Sequence, residues 1–472
     1  MQQVSEVAQS EAKLKGALSA KHIVGMVMAA AAPLTVVGGN IPLAFGLGNG
    51  VGAPFGFVIA SMVLLIFAIG FVSMTPFVKE AGAFYSYIRL GLGQKIGMGA
   101  AYIALVTYTA IQAGIYGYIG WAINDLVVNY GGNPHPWWLY SLLTIAVVAF
   151  FGYRNIDLSS KVLGISLILE IAVVLILNSA ILYQGGAEGV NLQSFEPSYA
   201  LSGGLSLAIL FALTGFIGFE SAAIYRDEAI DPERTIPRAT YWSVIIIGVF
   251  YTFSAWSLVI AAGPTQLLNV VNQTLHGSGN MLLDLARQYT GATFSHVIQL
   301  LLINSLFACV LSFHNILVRY QYALAHQGDF SPILVKIHPR YHSPYQSSVI
   351  QTCIAVMVIM ICAFFALDPL TQVFGYMAGI STVGCVALMV LTSIAVYRYF
   401  SKNQQHHVSR LQTQWVPLLA ALLLGLCLSM ILINFPTLTG GSLWVCMLLA
   451  LIVPMFFLLG VFRQNQLIQK TT

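Results

Sequence analysis

The chain has 472 residues, of which 58% are hydrophobic and only 8% are charged, and its formal net charge is +4. A soluble protein of this length must cover its core with polar surface, and this composition supplies too little of it. Composition therefore excludes a soluble protein. The sequence also lacks the basic surface interleaved with aromatic residues that nucleic acid requires, so we expect no nucleic-acid partner.

Twelve apolar stretches follow one another along the chain. About twenty apolar residues in a helix cross a hydrocarbon core roughly 30 Å thick. The predicted spans lie near residues 22–47, 53–77, 96–128, 137–153, 162–184, 204–226, 240–262, 290–317, 346–367, 373–398, 415–435 and 442–462. We therefore expect an all-α polytopic membrane protein with 12 transmembrane helices, surrounded by a lipid bilayer.

The basic residues predict the orientation of these spans. If the first 21 residues are cytoplasmic, nineteen of the twenty Lys and Arg residues fall in cytoplasmic segments, and only Arg287 lies outside. Cytoplasmic loops of membrane proteins carry such an excess of Lys and Arg. The pattern predicts an even number of spans with both termini cytoplasmic. We expect a multi-pass protein of the cell membrane, specifically the inner membrane of a bacterium.

Two of the spans are interrupted. The first contains Pro33 and then Gly38 and Gly39, and Pro33 removes an amide donor and disfavours helical geometry at Ala32. The sixth is broken near its middle at residues 214–218, which include two glycines. Interruptions at corresponding positions of two halves are typical of a transporter whose site lies between inverted repeats.

The spacing of these interruptions predicts the domain organisation. The sixth span comes five spans after the first and enters the membrane from the opposite side, so spans one to five and six to ten would be inverted halves. We predict a cytoplasmic N-terminal tail over 1–21, a transport core over 22–400, peripheral helices eleven and twelve over 401–462, and a cytoplasmic C-terminal tail over 463–472.

Four sequence segments, in consistent order, resemble one known family. They are the EAGAFYSY loop at 80–87, the GYR to SK segment at 152–161, the GFE, DPER and IPRA motifs between 218 and 239, and the segment at 319–344 with its GD and P positions. Together they resemble the amino acid–polyamine–organocation (APC) superfamily over roughly residues 20 to 400. The resemblance implies a LeuT-type fold, with a five-plus-five inverted repeat and two C-terminal helices, that moves amino acids or related amines by alternating access.

The two breaks are where we expect the substrate to bind. Exposed amides at the start of a half-helix favour a carboxylate, and unwound carbonyl groups accept from an ammonium. The predicted substrate-binding residues are Ala32, Leu34, Thr35, Val36, Thr214, Gly215, Phe216 and Gly218. The family's first helix usually unwinds at a glycine triplet, where this chain has APLT at 32–35, and Pro33 has no amide to offer.

Three titratable residues inside the spans are candidates for proton coupling. A carboxylate within a span costs free energy unless it has a partner or reaches water. Glu220, just after the glycines of the sixth span, either exchanges a proton or staples the broken helix to a neighbour. Glu170 replaces a lysine that some family members have in the fifth span, and it either carries a proton, helps to bind a cation or forms an interhelical hydrogen bond. His314 either carries a proton or is a hydrogen-bonded core residue.

Further residues on the third and tenth spans are candidates for the side-chain pocket, although interfacial or core packing is the better interpretation of each one taken alone. They are Tyr108, Gln112, Tyr116 and Tyr376. Sodium-coupled members of this fold use neighbouring hydroxyls on the eighth helix, whereas Ser305 and Ser312 are not adjacent. The sequence therefore favours protons over sodium.

Several alternatives stay open at this point. A polyamine or cationic amino acid carrier of the same fold is the nearest, but such substrates need acids in the cavity, so we favour neutral amino acids. A major-facilitator-type carrier also has twelve spans, although its usual long central loop and basic loop after the second helix are not found here. The sequence offers no metal-ligand cluster, nucleophile constellation or repeated filter segment. We therefore expect neither an enzyme nor a channel, and no cofactor or bound metal.

Overall fold

The computed structural model describes residues 19–78, 83–154, 156–277, 279–326, 328–341, 343–403 and 409–471. Throughout these ranges the chain forms helices joined by turns, without a β-strand. The predicted N-terminal tail and the EAG residues of the loop at 80–87 therefore lie almost wholly outside the described residues.

The described residues of the first part of the chain contain eight α-helices. They are α1 (Ala20–Ala31), α2 (Pro33–Thr35), α3 (Ile41–Gly46), α4 (Ala53–Met74), α5 (Ala83–Leu92), α6 (Gln94–Asn129), α7 (Trp137–Arg154) and α8 (Ile156–Gln184). A π-helical turn, Val36–Asn40, joins α2 to α3. The stretch from Pro33 to Gly46 is therefore one continuous helical segment.

The remaining described part of the chain contains ten α-helices. They are α9 (Pro197–Ala200), α10 (Leu205–Gly215), α11 (Pro232–Ala262), α12 (Leu267–Leu275), α13 (Met281–Thr290), α14 (Ala292–His326), α15 (Tyr345–Phe364), α16 (Gly375–Lys402), α17 (Val416–Leu438) and α18 (Leu443–Thr471). Further short 3₁₀ or π-helical segments lie between the α-helices of both parts. They are Gly50–Gly52, Thr75–Phe77, Gln193–Phe195, Phe219–Glu228, Pro332–Val335, Pro369–Phe374 and Leu411–Trp415.

Eleven helical segments in the described ranges are long and apolar enough to cross a membrane. They coincide with eleven of the twelve predicted spans. The fourth predicted span is also a helix, but its apolar part, Trp137–Tyr153, is shorter than the others. The findings support a multi-pass helical membrane protein.

Burial distinguishes the inside of this bundle from its rim. The two segments that contain the interruptions, Ala20–Gly46 and Leu205–Ala223, are 76% and 94% buried within the protein. The last two segments, Leu411–Leu438 and Leu443–Gln466, are only 28% and 17% buried. The interrupted helices are therefore central, and α17 and α18 present most of their surface outward.

Two predicted boundaries differ from the structure. The eighth span is predicted to end near residue 317, whereas α14 continues to His326. His314 is therefore three turns from the end of its helix. The last helix, α18, continues through the predicted C-terminal tail to Thr471.

Candidate functional site

The first interruption is confined to one residue. Ala32 has a left-handed backbone conformation, with φ 46° and ψ 79°, between α1 and α2. Such a conformation is strained for a residue with a Cβ atom. Pro33 follows at the first helical position. An N–H group at that position has no partner within the helix, so its absence in proline costs no hydrogen bond. The chain thus changes direction at Ala32 and then resumes a helix.

The sequence suggested that Gly38 and Gly39 interrupt the first helix, but in the structure they do not. Both lie within the helical segment, in the π-helical turn. A Cβ atom on Gly38 would be 2.8 Å from the Tyr118 hydroxyl, and one on Gly39 would be 2.7 Å from the Tyr118 ring. The two glycines therefore let α6 approach the first helix closely.

The second interruption follows α10. That helix ends at Gly215, a turn covers residues 216–218, and a 3₁₀ segment begins at Phe219. Gly218 has φ 108°, a value that residues with a Cβ atom rarely adopt. The glycine at the end of the turn is therefore required by backbone geometry.

Glu220 fastens this second break to α6. One of its carboxylate oxygens accepts the Tyr108 hydroxyl at 2.5 Å, and the other accepts the Gly218 amide at 3.0 Å. The side chain is only 1% exposed. A buried carboxylate that receives two such bonds replaces helical bonds that the break has removed.

Glu170, on α8, binds to the first break. Its carboxylate accepts the hydroxyls of Ser166 at 2.9 Å and Ser305 at 2.6 Å, and also the backbone amide of Leu34. Leu34 follows Pro33 at the start of the helical segment 33–46, where backbone amides have no helical partner and negative charge is stabilised. Glu170 therefore caps the second half of the first helix from α8.

Thr35 connects this cap to the centre of the protein. Its amide and its hydroxyl both donate to the Ser305 hydroxyl oxygen, at 3.4 and 3.3 Å, and Ser305 donates in turn to Glu170. Thr35 is 4% exposed and Ser305 is fully buried. A chain of hydrogen bonds thus runs from Thr35 through Ser305 to Glu170.

A small cavity lies between the two breaks. Its volume is about 20 Å³, which is room for a water-sized molecule. The first helix, α6, the sixth predicted span, α14 and the residue before α16 all contribute to its wall. The lining residues are Ala30, Ala31, Thr35, Val36, Asn40, Ile111, Ile115, Thr214, Ile217, Cys309, Phe313 and Phe374.

Polar groups around this cavity tie the helices to one another. Asn40 donates to the Phe211 carbonyl at 3.0 Å, which joins the first helix to α10. Thr214 and Thr382 share a hydrogen bond of 2.5 Å between α10 and α16. The last carbonyls of α1 accept from Tyr251 at 2.8 Å and from the Cys309 thiol at 3.3 Å. These contacts join five helices around the cavity: the first helix, α10, α11, α14 and α16.

Three of the eight residues predicted to bind substrate line this cavity, namely Thr35, Val36 and Thr214. Leu34 is fully buried beside Glu170. Phe216 does not line the cavity; its ring packs edge-to-face on Tyr251, with 6.2 Å between the ring centroids. Ala32, Gly215 and Gly218 shape the backbone of the two breaks.

None of the predicted pocket residues lines the cavity. Tyr108 bonds to Glu220, and Tyr116 is buried, with its carbonyl accepting from Ser141. Gln112 accepts from Gln351 on α15 at 2.8 Å. Tyr376 is half-buried against the core.

His314 lies away from the cavity. Its Nε2 atom is 2.9 Å from the Ser348 hydroxyl on α15, and a Cβ atom on Gly152 would come within 2.8 Å of its ring. The side chain is 1% exposed. These contacts place His314 in the packing between α7, α14 and α15.

Sequence reasoning missed most of the apolar wall. Ile111, Ile115, Phe313 and Phe374 look like any other apolar residue of a membrane span, because hydropathy does not distinguish a lipid-facing position from a buried one. The only available signal was proximity: Ile111 adjoins Gln112, and Phe313 adjoins His314.

Three larger grooves lie elsewhere among the described residues. One, of about 560 Å³, lies between the start of α7 and the segment before α16, with Asp368, Thr371 and Gln372 in its wall. The other two are apolar. One, of about 420 Å³, contains the exposed residues Met62, Ile245 and Val249, and the other, of about 660 Å³, lies along α18 with Leu451, Leu458 and Phe462 exposed. In a membrane protein such outward apolar surfaces contact lipid tails. The central cavity is the candidate site because residues of both interrupted helices line it.

An α-helical membrane protein with a cavity between two interrupted, buried helices has the architecture of a secondary transporter. Residues 22–466 match the family described as "Amino acid permease". Because this match covers almost the whole chain, the protein belongs to the amino acid permease family, within the APC superfamily. The major-facilitator alternative is thereby set aside.

Several characterised relatives are similar at low identity. The branched-chain amino acid permease BcaP of Bacillus subtilis is 22% identical over 413 residues, covering 84% of this chain and 83% of its own. The low-affinity putrescine importer PlaP of Escherichia coli K12 is 20% identical, covering 74% and 76%. The serine/threonine exchanger SteT of Bacillus subtilis is 22% identical, covering 60% and 63%. These relatives handle different substrates, so similarity alone does not select one.

Proposed function

We propose that this protein is a secondary active transporter that moves amino acids, preferably neutral ones, across the cell membrane by alternating access. The observation that carries the proposal is the cavity between the two interrupted helices, whose segments Ala20–Gly46 and Leu205–Ala223 are 76% and 94% buried. Its wall contains Ile111, Ile115 and Phe313 beside Thr35 and Thr214. This mixture suits a small molecule with an apolar side chain and a polar head.

In this proposal the polar head of the substrate lies against Thr35, Val36 and Thr214. Small-ligand sites usually enclose about 300–1,000 Å³, whereas the cavity measures about 20 Å³. The wall must therefore move to admit an amino acid, as alternating access requires. The breaks at Ala32 and at residues 216–218 are the natural hinges, because the helical bonds are interrupted there.

We propose the predicted five-plus-five architecture for the same protein, with Trp137–Tyr153 as the fourth of twelve spans. Residues 22–400 would form the transport core and 401–462 the peripheral helices. The low burial of the last two spans supports a peripheral position. The distribution of Lys and Arg supports cytoplasmic termini and insertion in a bacterial inner membrane.

We assign the coupling proton to Glu170 in preference to Glu220 and His314. Glu170 is linked to the cavity wall through Ser305 and Thr35. Glu220 instead holds the second break together, and His314 bonds to Ser348 on α15 and does not line the cavity.

A carrier of polyamines or cationic amino acids is the second candidate. Glu170 and Glu220 are two buried acids close to the breaks, and acids of this kind favour a cationic substrate. Neither of them lines the cavity, however, and the wall is mainly apolar. We therefore favour neutral amino acids.

Uptake into proteoliposomes tests the proposal. With a proton gradient imposed, we expect accumulation of labelled leucine or another neutral amino acid, and less accumulation of putrescine or arginine. Liposomes without protein and liposomes with collapsed gradient are the controls. Uptake of putrescine alone would replace the neutral substrate with an amine, and the absence of any gradient-driven uptake would contradict the transporter assignment.

A further inference from the structure

We propose that Ser305 is a hydroxyl switch that makes a proton on Glu170 and the carboxylate of the substrate bind together. This inference rests on the proposed function, since it assumes an amino acid in the central cavity. It assigns to Ser305, which does not line the cavity, the task of passing the protonation state of Glu170 to Thr35.

Hydrogen-bond directions define the first state of the switch. The amide of Leu34 can only donate, and it donates to Glu170. Thr35 uses its amide and hydroxyl to donate to the Ser305 oxygen, so the Ser305 proton points to Glu170. Glu170 thus receives donors only, as an ionised carboxylate does.

The donors around the cavity are all engaged, but not equally well. Asn40 donates to Phe211 at 3.0 Å and Thr214 donates to the Leu210 carbonyl at 2.8 Å, whereas the two bonds from Thr35 to Ser305 measure 3.4 and 3.3 Å. Bonds of this length are near the limit of the geometric range. A substrate carboxylate can therefore replace Ser305 as the acceptor for Thr35 more easily than it can replace the other acceptors.

A carboxylate that takes the donors of Thr35 lies only one hydroxyl away from Glu170. Two negative charges so close together in a buried site repel each other, and this repulsion is removed when one of the carboxylates binds a proton. A proton taken from bulk water converts the Glu170 carboxylate to the acid. The resulting O–H donates to Ser305, and the Ser305 hydroxyl, which can rotate, turns its own proton to the cavity side.

This second state has no unpaired donor. Ser305 loses the bonds from Thr35 and gains one from Glu170, and its proton reaches the substrate carboxylate or the Thr35 oxygen. Protonation therefore adds a donor to the site when the carboxylate of the substrate arrives. An amine that lacks a carboxylate gains nothing from the switch.

Other titratable groups near Glu170 are already committed. Tyr251 of α11 donates to the Ala31 carbonyl, and Cys309 of α14 donates to the Ala30 carbonyl. On α14, His314 is nine residues beyond Ser305, or about 13 Å along the helix. The remaining titratable residues on the described side chains of helices that pack on α8 lie nearer helix ends: Lys21, His22, Tyr140, Tyr153, Glu233, Arg234, Arg238, Tyr241, Asp284, Arg287, Tyr289, His296, Arg319, Tyr320, Tyr322 and His326.

Binding measured as a function of pH tests the switch. For the purified protein and a transported amino acid such as leucine, we expect Kd to rise about tenfold per pH unit across the range in which one proton is taken up with the substrate. Glu170→Gln should bind leucine with a Kd independent of pH. Ser305→Ala should also lose most of the slope, and Ser305→Thr, which keeps the hydroxyl, should restore it.

Two controls separate this proposal from its alternatives. 3-Methylbutylamine has the side chain of leucine without the carboxylate, and its Kd should not rise with pH. Asp125→Asn removes another acid within a span, which bonds to Gln299, and should keep the wild-type slope. A full slope in Glu170→Gln or in Ser305→Ala would overturn the proposal, as would a flat Kd in a wild-type protein that accumulates leucine. No uptake of any amino acid would instead contradict the proposed function itself.

Discussion

Replacing Glu220 by leucine is expected to abolish transport and to lower the free energy of unfolding by about 2–6 kcal/mol. The reason is the loss of an acceptor for two buried donors, the Tyr108 hydroxyl and the Gly218 amide. A buried donor left without a partner costs about 1–3 kcal/mol, and two are affected. Uptake in proteoliposomes and thermal unfolding in detergent measure the two effects.

Glu220→Gln is the matched control. Glutamine keeps an oxygen for the Gly218 amide, and the Tyr108 hydroxyl can rotate to accept from the new NH₂ group. We therefore expect this variant to retain most of the stability and the pH dependence of uptake. Equal damage in both variants would mean that the negative charge itself is needed, which would favour Glu220 as a proton carrier over its role as a staple.

Gly218→Ala has the second largest expected effect, a loss of uptake of at least tenfold. At φ 108° a Cβ atom is strained, with a cost of about 1–3 kcal/mol. The added atom would also lie 3.3 Å from the Cβ atom of Ala30, where the two breaks face each other. The backbone would have to shift at the position where the helices meet, and this shift would change the cavity.

Gly425→Ala provides the comparison for this experiment. Gly425 lies inside α17, and a Cβ atom there would meet nothing within 4 Å. We expect unchanged uptake and a stability equal to or above that of the wild type, because alanine favours a helix. Wild-type uptake in both variants would show that the conformation of Gly218 is not needed for transport.

The sequence predicted the positions of the membrane helices well because hydropathy and glycine or proline interruptions are local properties. Eleven predicted spans coincide with helical segments that meet the criteria for crossing a membrane. The break after α10 was located to within two residues, since Gly218 needs its positive φ whatever surrounds it. The GFE motif at 218–220, which resembles the family's sixth-helix signature, indicated the same region of the chain.

The first break shows the limit of such reasoning. Pro33 marked its place, yet the strained residue is Ala32, and Gly38 and Gly39 serve the approach of Tyr118 from α6. A glycine that relaxes the backbone and one that makes room for a distant side chain look alike in a sequence. Only the packing of α6 on the first helix distinguishes them.

The cavity was equally beyond the sequence. Ser305 was considered as a sodium ligand, but its bonds to Thr35 and Glu170 join residues 270 and 135 positions apart. No local pattern records contacts across such distances. For the same reason Ile111 and Phe313 could not be separated from the many apolar residues that face lipid.

The central claim is that an amino acid occupies the cavity between the two breaks, and Cys309 offers a direct test. Its thiol lies in the cavity wall, and replacing the other five cysteines by alanine leaves it as the single reporter. We predict that a small methanethiosulfonate reagent modifies this variant in proteoliposomes, and that a saturating transported amino acid slows the modification at least tenfold while a non-transported one does not. Modification at the same rate with and without the transported amino acid would contradict the claim.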